Sequence, residues 1–419
     1  MPDSILNRFC PELPSGWSTE RIGDCLTQVI HPIRMKDSEA YRLVSIRRRN
    51  NGMFDRHILK GKDILTKDLQ KVIPNSFAIA RRQIIHGACT FVDDDFANAA
   101  VSSSYSIFLG TGKCDARYFS WLAQHPLMYA YFVAASHGIV IEKMNFDQER
   151  WLGFSIRLPP LREQRRIVEI LDSVDESIRS TERLIEKLRQ ARTGLLSDLL
   201  RDDGSKGYLG IGPSSWRTEA LGYLADIAGG VALGRSLPGS GVIELPYLRV
   251  ANVQDGYIDA SDIKSVRVAR SEVRRYELAP GDFLMTEGGD FDKLGRGAVW
   301  DGSIAPCLHQ NHIFRVRTDR SRLLPEFLAM YVGSFRARRY FVGASKQTTN
   351  LATINMTQVR AFPLPVPPLS EQERIASTLA SYDEQVQAHV RELGMLRHVR
   401  QGMMNDLLTG RVRVLTEEA

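Results

Sequence analysis

Pro159-Pro160-Leu161-Arg162-Glu163-Gln164-Arg165-Arg166-Ile167 returns 208 positions later as Pro367-Pro368-Leu369-Ser370-Glu371-Gln372-Glu373-Arg374-Ile375, and each copy opens a long helical pattern. The same offset carries Leu195-Leu196-Ser197-Asp198-Leu199-Leu200 onto Met403-Met404-Asn405-Asp406-Leu407-Leu408, so the two stretches match along their whole length. A third echo lies upstream, Pro14-Ser15-Gly16-Trp17 against Pro213-Ser214-Ser215-Trp216. Self-similarity on this scale sets the architecture before any local reading is made. The expected order is a globular domain (1–158), a long helix (159–200), a glycine-rich linker (201–212), a second globular domain (213–366), a second long helix (367–408) and a tail (409–419).

The helices carry a regular seam. Ile167, Leu171, Val174, Ile178, Thr181, Ile185, Leu188, Arg192, Leu195 and Leu199 alternate steps of four and three, and adding the offset gives Ile375, Leu379, Tyr382, Val386, His389, Leu393, Leu396, Arg400, Met403 and Leu407. Spacing near 3.5 residues is the coiled-coil signature, and the polar breaks at Thr181/His389 and Arg192/Arg400 coincide. Each helix therefore has a partner within the chain, although a plain structural hairpin or a dimerisation helix shows the same pattern. Roughly 38 residues of helix would span about 57 Å. Two equal domains and two equal spacers suit a pseudo-twofold arrangement and a ligand with two sites on one rigid body. Ser370 and Glu373 read as a capping box, which Arg162 removes from the first copy. Gly194 recurs as Gly402 although glycine costs about 1 kcal/mol in a helix interior, an expectation of close backbone packing at both.

The globular halves read as mixed, β-rich domains, giving an α+β class. In the second half, 247–253 and 313–316 alternate as strands, Pro280-Gly281-Asp282 marks a turn, and 325–341 reads as a helix. Val133-Ala134-Ala135-Ser136 matches Val342-Gly343-Ala344-Ser345, and Asn145, Gln148 and Arg150 match Asn355, Gln358 and Arg360, so the first half repeats that order more loosely.

Composition agrees with this division. The 419 residues, 43% apolar and 25% charged, allow two or three ordinary globular domains. Five scattered cysteines (Cys10, Cys25, Cys89, Cys114, Cys307) without a C-x-x-C pair point to neither a disulfide framework nor a thiolate zinc site, and to a reducing cytoplasm. Asp3, Arg8 and Glu12 stand where a signal peptide would be apolar, and no run approaches the ~18 apolar residues of a membrane span. The net charge of +6 is concentrated: residues 34–71 hold eleven Lys/Arg against five acids, a surplus equal to that of the whole chain. Such a concentration is the footprint expected for phosphate contact, and an ordinary solvated loop shares it.

Candidate contact residues follow. Arg47-Arg48-Arg49-Asn50-Asn51-Gly52 succeeds the strand pattern of 41–46 and is rich in the side chains suited to base edges, Arg for guanine and Asn for adenine. A hydrated turn has the same composition. In the second half, Ser345-Lys346-Gln347-Thr348-Thr349-Asn350 offers a cation, amides and hydroxyls without an acid; its first-half counterpart includes His137 and Lys143. Arg336, Arg338 and Arg339 suit phosphate contact or the cover of a helix face. His309, Gln310 and Asn311 are further candidates for base contact.

With two P-P-L-x-E-Q helix starts, each closing a domain that opens near a Trp and each leading into a helix ending Leu-Leu, the chain resembles the specificity (S) subunit of type I restriction-modification systems over nearly its whole length. The resemblance implies two target recognition domains joined by two long antiparallel helices, an intramolecular coiled coil. Each domain would read one half of a bipartite target in double-stranded DNA, and the helices would set the unread spacer. By the same resemblance the helices dock two methyltransferase (M) subunits using S-adenosylmethionine, and restriction (R) subunits using ATP and Mg can join.

Chemistry within the chain finds little support. The Pro-Pro pairs lack the flanking acceptor and ring of an adenine methyltransferase loop, and Gly112-Lys113-Cys114 and Gly61-Lys62-Asp63 fail the phosphate-loop pattern. The expectation is a non-catalytic subunit with no bound metal. Asp262-Ile263-Lys264 has the D-x-K form of metal-dependent nucleases, which leaves a stand-alone nuclease as one alternative and a protein-only coiled-coil adaptor as another. His309 and His312, three apart, would point to opposite faces of a strand and share no ion.

Overall fold

The computed structural model of the chain describes residues 2–138, 144–199, 216–234, 241–289, 294–347 and 352–414. The chain forms two compact units, Met1–Glu182 with Arg391–Ala419, and Arg183–Val390. Each holds one globular domain and part of both long helices. The expected linker, 201–212, lies outside the described residues.

The long helices are Leu161–Leu199 and Leu369–Leu407, 39 residues each. Both begin directly after Pro-Pro: the backbone N–H of Gln164 donates to the Pro160 carbonyl (3.0 Å), and that of Gln372 to Pro368 (3.1 Å). Ser370 therefore lies inside the helix, and the expected capping box does not form its start. A glutamine fixes the start instead. Gln164, with 0% exposure, donates from Nε2 to the carbonyls of Pro159 (2.9 Å) and Lys113 (2.8 Å) and accepts at Oε1 from Asp115 N (2.9 Å). Gln372, equally buried, donates to Pro367 (2.9 Å) and Arg322 (2.8 Å) and accepts from Leu324 N (2.8 Å). One side chain thus pins each helix start to a loop of its own domain and satisfies three backbone groups, one in a buried bond and two in part-buried ones.

The neighbouring glutamates meet the repeated tryptophans. Trp216 Nε1 donates to Glu371 Oε2 at 2.9 Å. In the first unit an arginine mediates: Arg413 Nε and Nη2 each donate to Glu163 at 2.8 Å, with the guanidinium 6.0 Å from the Trp17 ring centroid. The polar breaks of the seam are also answered. Arg400 Nη1 donates to Asp175 Oδ1 (2.8 Å) in the first unit, and Arg192 Nη2 to Asp383 Oδ2 (3.0 Å) in the second. Since 192 and 400, and 175 and 383, differ by the same offset, these are one interaction made twice. Among the described side chains no seam position is exposed. Gly194 and Gly402 correct the packing expectation: a Cβ on either would meet nothing within 4 Å.

The two domains share the order of their main strands, and the first adds strand Leu69–Lys71 beside Ala100–Ser102. The first has a four-stranded antiparallel sheet in the order Leu26–Val29, Tyr105–Gly110, Ser76–Ala80, Cys89–Val92. The second has Ala225–Gly229, Ile313–Thr318, Phe283–Thr286, Gly297–Val299 in the same order. Beside it, strand Ala40–Ile46 pairs antiparallel with Met53–Lys60 and parallel with Ala100–Ser102; Val242–Leu248 likewise pairs with Lys264–Ala269 and Leu308–His309. Helices Ala116–Leu122 and Pro126–Ala134 correspond to Pro325–Val332 and Phe335–Ala344.

Phe77, Phe108, Phe119, Phe132 and Trp151 build the first core, closed by Ile167 and Leu171 from the start of the first long helix and Met404 and Leu407 from the end of the second. The second core, around Phe283, Phe327, Phe341 and Phe362, is closed by Ile375 and Leu379 and by Leu196. Burial of each such side chain contributes about 1.5–3 kcal/mol.

Two local expectations shift. The strand expected over 247–253 ends at Leu248 and gives way to a turn at Val250–Asn252, because buried Asn252 accepts from Arg249 N (2.8 Å) and donates to the Asp259 carbonyl (2.8 Å). The helix expected over 325–341 is two, since the Ser334 hydroxyl accepts from Ala337 N at 3.3 Å and starts a new one. The five cysteines are buried and unpaired. Burial pushes the Cys25 and Cys89 thiols up to about 12. Among the described residues no helix is long and apolar enough to cross a membrane.

Candidate nucleic-acid interface

Residues 47–52 form the turn joining strands Ala40–Ile46 and Met53–Lys60. Arg49 and Asn50 both adopt left-handed backbone, φ 59° and 56°, as does Gly52 at 75°. Arginine rarely accepts that conformation, and such strain persists only where surrounding bonds impose it. Here Arg49 N donates to the His86 carbonyl (2.7 Å), Asn50 N to Gly87 (2.8 Å) and Arg47 N to Gly52 (2.9 Å). Gly87, at φ 70°, is required by this contact, because a Cβ there would stand 2.4 Å from Asn50 Oδ1 and 3.3 Å from Arg49 Cα.

The turn's side chains divide. Arg47 stacks on Phe54, 4.6 Å from the ring centroid, and Arg48 Nε donates to Gln83 Oε1 at 3.3 Å. Arg49 and Asn51 are exposed and make no side-chain hydrogen bond or ion pair among the described residues. Elsewhere in the basic stretch Lys36 pairs with Glu39 and Arg42 with Asp55, at 2.7 and 2.6 Å. Part of the positive surplus is thus neutralised locally, while Arg56, Lys60, Lys62 and Lys71 remain exposed.

Beneath the turn lies a cleft of about 380 Å³, lined by Arg48, Arg49, Asn50, His86, Gln124 and Tyr129 among others, and by no carboxylate. Gln124 and Tyr129 were not legible in the sequence. Tyr129 is 52% exposed yet sits in a helix reading PLMYAYFVA, where no periodicity separates an outward ring from the core.

His137, exposed at the end of a short strand pair, lies 3.7 Å from the Asp147 carboxylate. Lys143, Thr348, Thr349, Asn350 and the side chain of Gln347 lie outside the described residues. In the second domain Lys346, Arg336 and Arg339 are exposed, and Arg338 pairs with Asp255 at 2.8 Å. His309 is a correction. It is wholly buried, its Nδ1 is 3.0 Å from the Tyr276 carbonyl, and burial pushes its imidazole down to about 4, so it is a neutral core residue beyond a base's reach. Gln310 turns its Oε1 inward to accept from Val250 N (3.3 Å), Asn311 is half-buried, and His312 stands out to bond Glu287 at 2.5 Å.

Asp262 has both carboxylate oxygens engaged, by Lys264 at 2.9 Å and Arg249 at 2.8 Å. These cations hold its carboxyl below the usual range. Among the described residues no three His, Cys, Asp or Glu side chains gather as a metal site would require.

Comparison with known proteins places this arrangement. A family model described as the type I restriction modification DNA specificity domain matches residues 48–190 and again 213–393, more than half of the chain. The chain is 25% identical over 390 residues to the type I restriction enzyme EcoKI specificity subunit of Escherichia coli K12, covering 87% of this chain and 81% of that protein. With the MjaX specificity subunit of Methanocaldococcus jannaschii the match is 26% identical over 168 residues and spans only 40% of either chain. In fold the chain is similar to a crystal structure of a type I restriction-modification S subunit from M. genitalium, with a TM-score of 0.57 at 13% identity, over 96% of this chain and 97% of that one.

Proposed function

The chain belongs to the type I restriction modification DNA specificity family, and from that premise we propose that its two globular domains each read one half of a bipartite sequence in double-stranded DNA. The observation that carries this reading is the duplication of the whole domain, sheet order and helix anchor included. A protein needing one ligand site has no use for the second frame. In the first domain the turn at 47–52 presents Arg48, Arg49, Asn50 and Asn51, with His137 on a second edge, and Lys143 shares their role. In the second domain Lys346, Gln347, Thr348, Thr349 and Asn350 take that role, with Arg336, Arg339, Gln310 and Asn311 in support. The two long helices pair as an antiparallel coiled coil, supported by the Arg400–Asp175 and Arg192–Asp383 bonds, and set the spacer left unread. Their outer faces dock two methyltransferase subunits, which bring S-adenosylmethionine. Restriction subunits add ATP and Mg, and the setting is cytoplasmic. This chain binds and positions; it transfers no methyl group itself.

Co-purified with its methyltransferase partner, the chain is expected to direct adenine methylation to one split, asymmetric sequence, mapped by sequencing modified genomic DNA with and without the chain. Methyl transfer by the chain alone would overturn the reading, and metal-dependent DNA cleavage lost in Asp262→Ala would replace it with a nuclease. An assembled complex without salt-sensitive DNA affinity would leave a protein-only adaptor. Inserting one turn, about four residues, into both helices is expected to lengthen the spacer in the methylated sequence; an unchanged spacer would remove the ruler role.

A further inference from the structure

The cleft of the first domain has a counterpart in the second. Gly87, between strands Ser76–Ala80 and Cys89–Val92, corresponds to Gly295, between Phe283–Thr286 and Gly297–Val299; both are left-handed, at φ 70° and 72°. Ala123, after helix Ala116–Leu122, corresponds to Gly333 after Pro325–Val332. Tyr129 and Arg338 occupy the following helices, and Asp255 lies in the loop after strand Val242–Leu248, as Arg48 and Arg49 lie after Ala40–Ile46. The same notch is therefore present twice. In the first domain it is open, about 380 Å³, and in the second it has shrunk to about 10 Å³. Arg338 reaches across that second notch to Asp255 at 2.8 Å.

The open notch has a floor of Ile85, Ala123 and Phe132 and polar walls without an acid. Arg48 and Arg49 bring cations; Asn50, Gln124 and Tyr129 bring neutral donors; His86 adds an imidazole, and no acid faces them. Arg, Asn, Gln and Tyr side chains are those that hold phosphate oxygens in protein–DNA contacts. The left-handed strain at Arg49, imposed by its bond to His86 O, sets that residue at the rim instead of leaving it on a relaxed turn. We propose that the first-domain notch is a phosphodiester seat, which takes a backbone phosphate of the DNA half-site between Arg48 and Arg49 with Gln124 and Tyr129 in support, and that the second domain has closed its equivalent with the Asp255–Arg338 pair. This rests on the DNA-reading function proposed above and deepens it: exposed Asn51 is left to the bases, while Arg48 and Arg49 position the strand.

The test is the dependence of duplex affinity on salt, measured by fluorescence anisotropy with the full-length chain and a labelled duplex carrying the mapped target. Each phosphate contact contributes a slope of about 0.9 in log affinity against log salt. Arg48→Ala and Arg49→Ala are each expected to lower the slope by about one such contact, Arg49→Lys to keep it, and Arg338→Ala to leave it as in the parent chain. Tyr129→Phe is expected to weaken binding several-fold with no change of slope. An unchanged slope in both Arg48→Ala and Arg49→Ala, or an equal loss in Arg338→Ala, overturns the seat while leaving DNA reading intact. A parent chain without salt-dependent affinity, both alone and assembled with its methyltransferase partner, overturns both. ATP at matched ionic strength is expected not to displace the duplex; displacement that vanishes in Arg49→Ala would assign the notch to a free nucleotide and overturn the proposal.

Discussion

The two notches are built on one frame and end differently: the first domain leaves an open, acid-free cleft under a strained arginine turn, and the second fills the same place with an exposed ion pair. The groups that hold each frame are the same in kind, a buried glutamine clamp, a tryptophan beside a glutamate and an arginine across to an aspartate. The difference teaches that duplication preserved the groups that anchor the long helices and released the lining of the cleft. Two halves of a split target can then be read by unlike surfaces on like scaffolds. The comparison breaks first at the clamps. Gln164→Leu and Gln372→Leu should each leave three backbone groups without their partner, one of them in a buried bond, and cost about 2 kcal/mol or more, equally in the two units. Urea unfolding gives the loss, and hydrogen exchange should show protection falling in the unit that carries the change. A large loss from only one of them would show that the frames are not equivalent.

A second comparison concerns acid. Each domain buries one histidine, His125 and His309, and burial pushes both down to about 4. Folded, they stay neutral below the unfolded pKa near 6.5, so the unfolded state binds the extra protons. Stability is then complete above about pH 6.5 and is lost as pH falls toward 4, with roughly 2 kcal/mol per histidine gone by pH 5. Thermal melting between pH 7 and 5 checks the sign. His125→Gln and His309→Gln should each flatten the decline, and a decline left unchanged by both would mean that other groups set it.

How much of this was legible depends on whether partners lie near in sequence. The twin helices, the seam and the turn at 47–52 announce themselves through spacing and through Asn51-Gly52 after a strand. Gln164 and Gln372 did not, because glutamine is ordinarily a surface residue and the clamp's partners, Lys113 and Asp115, or Arg322 and Leu324, lie about fifty positions away. The aspartates answering Arg192 and Arg400 carry the repeat offset, yet only the fold shows that each arginine reaches the other helix. His309 misled because His-Gln-Asn-His is polar throughout; its parallel pairing with Leu248 draws the ring inside. Tyr129 was hidden by an all-apolar helix.

The repeated glycines give a smaller effect of opposite sign. Gly194 and Gly402 are exposed within continuous helix, and nothing stands near a Cβ on either. Gly194→Ala and Gly402→Ala should therefore each stabilise by about 1 kcal/mol, additively, in thermal melts of the full chain. A loss of stability in either would reveal a neighbour within the chain packed against that glycine.

The smallest change in stability bears directly on the notches. Asp255 and Arg338 are both largely exposed, with side chains 61% and 46% accessible, and an ion pair of that kind contributes about 0–1 kcal/mol. Asp255→Asn should leave the melting temperature nearly unchanged while removing the carboxylate that occupies Arg338. The freed guanidinium then faces solvent in the place where the first domain keeps its own arginines. Duplex affinity at low salt is expected to rise, with the salt slope increasing by at most about one phosphate contact. If affinity stays level while the fold is intact, the closure of the second notch is steric, set by Leu294 and Arg296 in its wall, and the charge pair only decorates it. If affinity rises, one carboxylate is what separates the two domains' ways of holding a strand.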